Sequence, residues 1–101
     1  MRVYISGGIT HNPNALQDFN SAEQYLIGLG HEVVNPMKLE HSHDKSWENY
    51  MKVDIREMML CDALYVLHGW RKSKGARIEV YLAEHLKMKI IYQLIDLKKY
   101  K

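Results

Sequence analysis

The chain has 101 residues, 47% of them hydrophobic and 26% charged, and a formal charge of only +2. That balance fits a single domain, residues 1–101, with a real core; it excludes a disordered chain and argues against a dedicated nucleic-acid surface. One cysteine, Cys61, rules out an intrachain disulfide, and no apolar run is long enough to span a bilayer. With a strand pattern starting at the N-terminus and no signal-peptide layout, a cytoplasmic protein is expected.

Arg2 to Ser6 is a short β-rich run that ends in Gly7 and Gly8. Glycine costs chain entropy on folding, so a pair here marks a tight turn or a place where other atoms, a ligand among them, approach the backbone. Asn12-Pro13 predicts a helix N-cap followed by proline at the first helical position. Leu16, Phe19, Ala22, Leu26 and Leu29 then recur at helical spacing, and Gly30 marks the end. His31 to Pro36 (HEVVNP) reads as a second strand, and Met37 to Lys45, which has no period, as a loop. Ser46 opens a second helix with Trp47, Met51, Ile55, Met58 and Met59 on its apolar side. Asp62 to Leu67 (DALYVL) is a third strand, apolar enough to be covered on both faces. The polar stretch His68 to Gly75 leads into a third helix marked by Ala76, Val80, Ala83 and Leu86 or Lys87. Lys89 to Leu94 (KIIYQL) is a fourth strand, and Asp96 to Lys101 is open to a helical turn, a short fifth strand or a frayed end.

Alternating strands and helices predict an α/β fold, a flavodoxin-like three-layer sandwich with a parallel sheet in the order 2-1-3-4. Ligands of such sheets bind beyond the carboxyl ends of the strands, where the chain reverses direction. The loops meeting there are SGGIT (Ser6 to Thr10) and HGWRKSKGARIE (His68 to Glu79). Neither contains G-x-G-x-x-G or a G-K-[ST] ending, which disfavours a dinucleotide site and a P-loop. Glu79 is expected in the first turn of the third helix, where the dipole favours an ionised carboxylate able to act as nucleophile or base. Asp54 stands in line with Trp47, Met51 and Met58, and a carboxylate on an apolar stripe needs a partner or a purpose. Two acids facing one crevice are the arrangement that glycosidic cleavage uses.

Asn35 and Trp70 are further candidates, the first at the end of the second strand and the second as a stacking surface. His68 is a weaker one. His41-Ser42-His43-Asp44 lacks a second ligand cluster and reads as a polar lid, so no metal is expected. Lysines at the C-terminal end give a basic lean that solvated side chains explain.

VYISGG, YMKVDIREMMLCDALYVL and SKGARIE, in this order and spacing, resemble the nucleoside 2-deoxyribosyltransferase-like superfamily, which includes deoxynucleoside 5′-monophosphate N-glycosidases. The resemblance implies that Glu79 attacks C1′ of the deoxyribose, that Tyr4 positions the Glu79 carboxylate, and that Asp54 contacts the base and helps protonate it. It implies substrate contacts from Gly7, Gly8 and Ile9 and, around the 5′ end of the sugar, from Ser73 and Gly75. Thr10 stands where the phosphate-cleaving members carry an arginine, for which Arg71, Lys72 or Arg77 would have to compensate. The expected activity is cleavage or transfer of an N-glycosidic bond in a nucleoside or nucleotide, without a cofactor and in a homodimer. A non-catalytic nucleotide- or ribose-derivative-binding protein of the same fold is the alternative.

Overall fold

The computed structural model describes residues 1–41 and 45–94. Four strands, β1 (Arg2–Ser6), β2 (Glu32–Val34), β3 (Ala63–Val66) and β4 (Lys89–Tyr92), form a parallel sheet in the order β2-β1-β3-β4. They are joined by the helices α1 (Ala15–Gly28), α2 (Trp47–Met58) and α3 (Lys74–His85). This is the expected α/β architecture and strand order. The segment expected to hold a fifth strand or a helical turn, Asp96 to Lys101, lies outside the described residues.

Side chains alternate across each strand, so every strand feeds two cores. Val3 and Ile5 of β1, with Ala63 and Tyr65 of β3, pack against Ala15, Phe19, Ala22 and Leu26 of α1. Tyr4, Leu64 and Val66 point to the other face and join Met58 of α2 with Val80 and Ala83 of α3. All four residues of β3 are buried, which explains why it reads as one continuous apolar run. Tyr4 and Ser6 of β1 bring hydroxyl groups to the α2–α3 side, where both reach Glu79.

Ser46, expected to open the second helix, is its N-cap, and Ser73, within the stretch expected as a loop, is the N-cap of the third. Ser46 Oγ accepts from Asn49 N at the head of α2, and Ser73 Oγ accepts from Ala76 N at the head of α3. Because Ser73 is the cap, Glu79 falls in the second turn of α3 and not the first, so the first-turn dipole argument does not apply to it. At α1 the start is also displaced. Asn12 uses its side chain to accept from Asn14 N and to donate to Gly8 O, closing a turn, and the helix begins at Ala15. The shift puts Ala15 on the buried side, and Leu16 and Leu29, expected inside, are exposed. Met59 and Leu86 are likewise exposed, each at the C-cap of its helix. Gly30 does end α1: its φ of 91° lets Gly30 N and His31 N bond back to Ile27 O and Leu26 O.

The glycine pair has a packing cause. A Cβ on Gly7 would lie 2.7 Å from Leu67 Cδ1 and 2.9 Å from Leu67 Cβ, so the β1–α1 turn can cross the end of β3 only without a side chain. Gly8 is less constrained, a Cβ there meeting Ser73 Cβ at an ordinary 3.7 Å. Gly7→Ala is therefore expected to destabilise the fold by about 1–3 kcal/mol through overpacking, and Gly8→Ala by much less. Urea unfolding of the two variants checks the contrast, and equal midpoints would contradict it.

Candidate functional site

Beyond the carboxyl end of β1, a cavity of about 490 Å³ opens between the sheet, α2, α3 and the β2–α2 connection. Its size is within the roughly 300–1,000 Å³ range of small-molecule sites. It occupies the place where the chain reverses direction, between β1 and β3.

Tyr4 and Ser6, two apart on one strand, project to the same face and reach one carboxylate. Tyr4 Oη donates to Glu79 Oε2 at 2.7 Å, and Ser6 Oγ donates to Glu79 Oε1 at 2.7 Å. Glu79 is only 5% exposed, yet it lines the cavity. Burial pushes its pKa up to about 7; the hydrogen bonds from Tyr4 and Ser6 oppose this, and the nearby charge of Asp54 adds to it. Burial, then the charges of Glu79 and Asp54, hold the Tyr4 phenol well above its ordinary value, so it remains a donor. The outcome is a carboxyl group fixed at both oxygens and poised near neutrality.

Asp54, 7% exposed, enters the cavity from α2. Its Oδ1 lies 3.1 Å from His41 Nε2, and the His41 ring packs over Tyr50 with centroids 4.6 Å apart. The partner that an acid on an apolar stripe requires thus comes from the β2–α2 connection. Lys45 also lines the cavity and donates to the His41 carbonyl. Trp47, Tyr50 and Met51 give the α2 wall an aromatic and thioether surface, and the Lys74 ammonium sits over the Trp47 ring at 4.3 Å. Pro36, Met37 and Leu39 make the wall opposite.

Of the residues singled out in the sequence, Tyr4, Asp54, Glu79, Gly7, Ile9, Ser73 and Gly75 all line this one cavity, as does Thr10. Three do not. Gly8 is not among the lining residues, and its carbonyl accepts from Asn12. Asn35 is spent on the chain itself, accepting from Met37 N and donating to Glu23. Trp70 packs against the α2–α3 core, with Tyr92 beside it at 6.0 Å and the Arg71 guanidinium over its ring at 4.9 Å. His68 is exposed, its backbone N bonded to Gln93, and Arg71, Lys72 and Arg77 are not among the lining residues. Of the stretch expected as a lid, His41 lines the cavity and residues 42–44 lie outside the described ones. Among the described residues no group of His, Cys, Asp and Glu could hold a metal ion, and no helix is long and apolar enough to cross a membrane. Cys61 is a buried thiol whose pKa burial raises to about 11.

Ser6, Trp47 and Tyr50 were not expected as site residues, and His41 was expected only as part of a polar lid, not as the partner of Asp54. Ser6 carried a signal, its spacing of two from Tyr4. Trp47 carried another, since the stripe that contains Asp54 must face whatever Asp54 faces.

The fold is shared with a solved structure of the 2-deoxyribosyltransferase of Bacillus psychrosaccharolyticus. The TM-score is 0.74 at 20% identity, over 97% of this chain and 79% of the other. At that identity the likeness establishes a nucleoside 2-deoxyribosyltransferase-like fold. No curated protein sequence matches the chain. Residues 1–92 match the family model described as a domain of unknown function, DUF4406. Because the match spans both acids, Tyr4 and every strand of the sheet, the chain belongs to the DUF4406 family.

Proposed function

We propose that the protein breaks the N-glycosidic bond of a 2′-deoxynucleoside or its 5′-monophosphate, with Glu79 as the nucleophile. The observation that carries this reading is the convergence of Tyr4, Asp54 and Glu79, the last also bonded by Ser6, on one cavity large enough for such a substrate. The shared fold of a 2-deoxyribosyltransferase supports it.

In the first step an ionised Glu79 oxygen attacks C1′ and the C1′–N bond breaks, its electron pair leaving with the base. Positive charge that develops on the sugar ring is stabilised by the carboxylate beside it. Asp54, bonded to His41, faces the leaving base and supplies the proton or hydrogen bond that makes it a better leaving group. Trp47, Tyr50 and Met51 offer that base a flat, polarisable wall. In the second step water or another base attacks C1′ and frees Glu79. Tyr4 and Ser6 keep the carboxylate aligned throughout and stabilise its charge. The single free thiol fits a cytoplasmic setting, and the half-buried Met51 and Ile55 of α2 with the exposed Met59 at its C-cap fit a homodimer, which light scattering would test.

The experiment is incubation with 2′-deoxynucleosides and their 5′-monophosphates, with chromatographic detection of free base. Base release from one of them is expected. Tight binding in calorimetry with no base after prolonged incubation would reject the enzyme and leave a binding protein.

A further inference from the structure

The cavity wall formed by the β2–α2 connection is held from the other side of the sheet. Glu23 lies on α1, the helix that covers the face opposite α2 and α3. Its side chain is only 12% exposed, and both of its oxygens are used. Oε1 accepts from Asn35 Nδ2 at 3.0 Å and Oε2 accepts from Lys38 Nζ at 2.8 Å. Fixing the Asn35 amide this way aims Asn35 Oδ1 at Met37 N, 3.0 Å away, and so closes the 3-10 turn Pro36–Lys38. Lys38 N and Leu39 N complete that turn by bonding to Asn35 O and Pro36 O. Pro36, Met37, Leu39 and His41, which follow from it, line the cavity, and His41 is the residue that meets Asp54. β2 itself has three residues and one neighbouring strand, so it supplies little anchorage of its own.

We infer that Glu23 is a positioning residue for the site: through Asn35 and Lys38 it sets the wall that presents His41 to Asp54. The Lys38 ammonium and the Asn35 amide also hold the Glu23 carboxyl below its usual range, as a clamp of charge-assisted bonds should. Glu23 touches no substrate in this account and acts only through the connection.

The test compares Glu23→Ala, Glu23→Gln and Lys38→Ala by amide hydrogen exchange and by the ¹⁵N spectrum of the His41 ring, neither of which requires a substrate. In Glu23→Ala the amides of Met37, Lys38 and Leu39 should exchange faster and the His41 signals should move, while the amides of β3 keep their protection. Glu23→Gln, which retains an acceptor for Asn35, should restore protection at Met37. Unchanged exchange at Met37 to Leu39, or loss of protection everywhere at once, would overturn the inference; if Glu23→Ala does not fold, the exposed Lys38→Ala is read on the same terms. The inference rests on the proposed activity for one further readout: over the same set of 2′-deoxynucleosides and 5′-monophosphates, base release from whichever wild type cleaves should fall by roughly 100-fold in Glu23→Ala, the scale of a 1 Å misplacement far from the chemistry. A wild type without turnover would sink the activity and leave the exchange data to decide the clamp. An active wild type matched by Glu23→Ala would sink the clamp alone.

Discussion

Glu79→Gln is expected to lower the rate of base release by roughly 10⁴-fold or more, the scale seen when a catalytic nucleophile is removed from a site whose members act as a unit. Glutamine keeps the shape of the side chain and an oxygen that Tyr4 or Ser6 can still bond, so the fold should survive. What it lacks is the negative charge that makes the carboxylate oxygen nucleophilic enough to form the proposed bond to C1′. Affinity for an unreactive nucleoside should change little by comparison, because Trp47, Tyr50, Met51 and Asp54 remain in place. Measuring base release and nucleoside binding on the same preparation separates the two effects. A variant that releases base as fast as wild type would remove Glu79 from the mechanism.

The second large effect is a stability that falls as pH rises. Glu79 titrates near 7 in the folded chain because burial outweighs the bonds from Tyr4 and Ser6, whereas its ordinary value is 4.5. The folded state therefore holds this proton more tightly than the unfolded one. Its contribution is complete below the unfolded pKa and is lost as pH climbs from about 4.5 to about 7. The shift corresponds to about 3 kcal/mol. Wild-type protein should lose that much between the two limits relative to Glu79→Gln, which has no proton to give up. Urea unfolding at several pH values checks this, and parallel pH profiles would contradict it. The same ionisation should appear in kcat/KM, which is expected to rise with pH and level off above about 7, since only ionised Glu79 can attack. On the proposed mechanism, a Glu79 carboxyl that must be charged where folding prefers it neutral gives up stability for function.

Much of this arrangement was legible because it follows from periodicity. The buried alternation of β1 and β3 assigns Val3 and Ile5 to one core and Tyr4 to the other, and the parallel order follows from strands separated by helices. Asp54 stood out as an acid in an apolar stripe. Local side-chain competition was harder to read: Asn12 and Asn14 are both plausible caps, and the turn that Asn12 closes with its own side chain moves the helix start to Ala15. The same kind of choice, Ser73 as cap, moved Glu79 one turn inward. Asn35 and Trp70 carried the right chemistry but found partners within the chain, Glu23 for one and the core beside Tyr92 for the other. His41 was legible only as part of a polar lid, because an aperiodic connection gives no face to count from. Its meeting with Asp54 depends on contacts made across the whole fold.

The most direct test is to mix the protein with a 2′-deoxynucleoside, quench within the first turnover, digest, and examine the peptide that contains Glu79 by mass spectrometry. A deoxyribosyl ester on Glu79 that forms as base appears and then decays is the expected result. Base released through repeated turnovers with Glu79 never modified, or a sugar carried by another residue, would contradict the account.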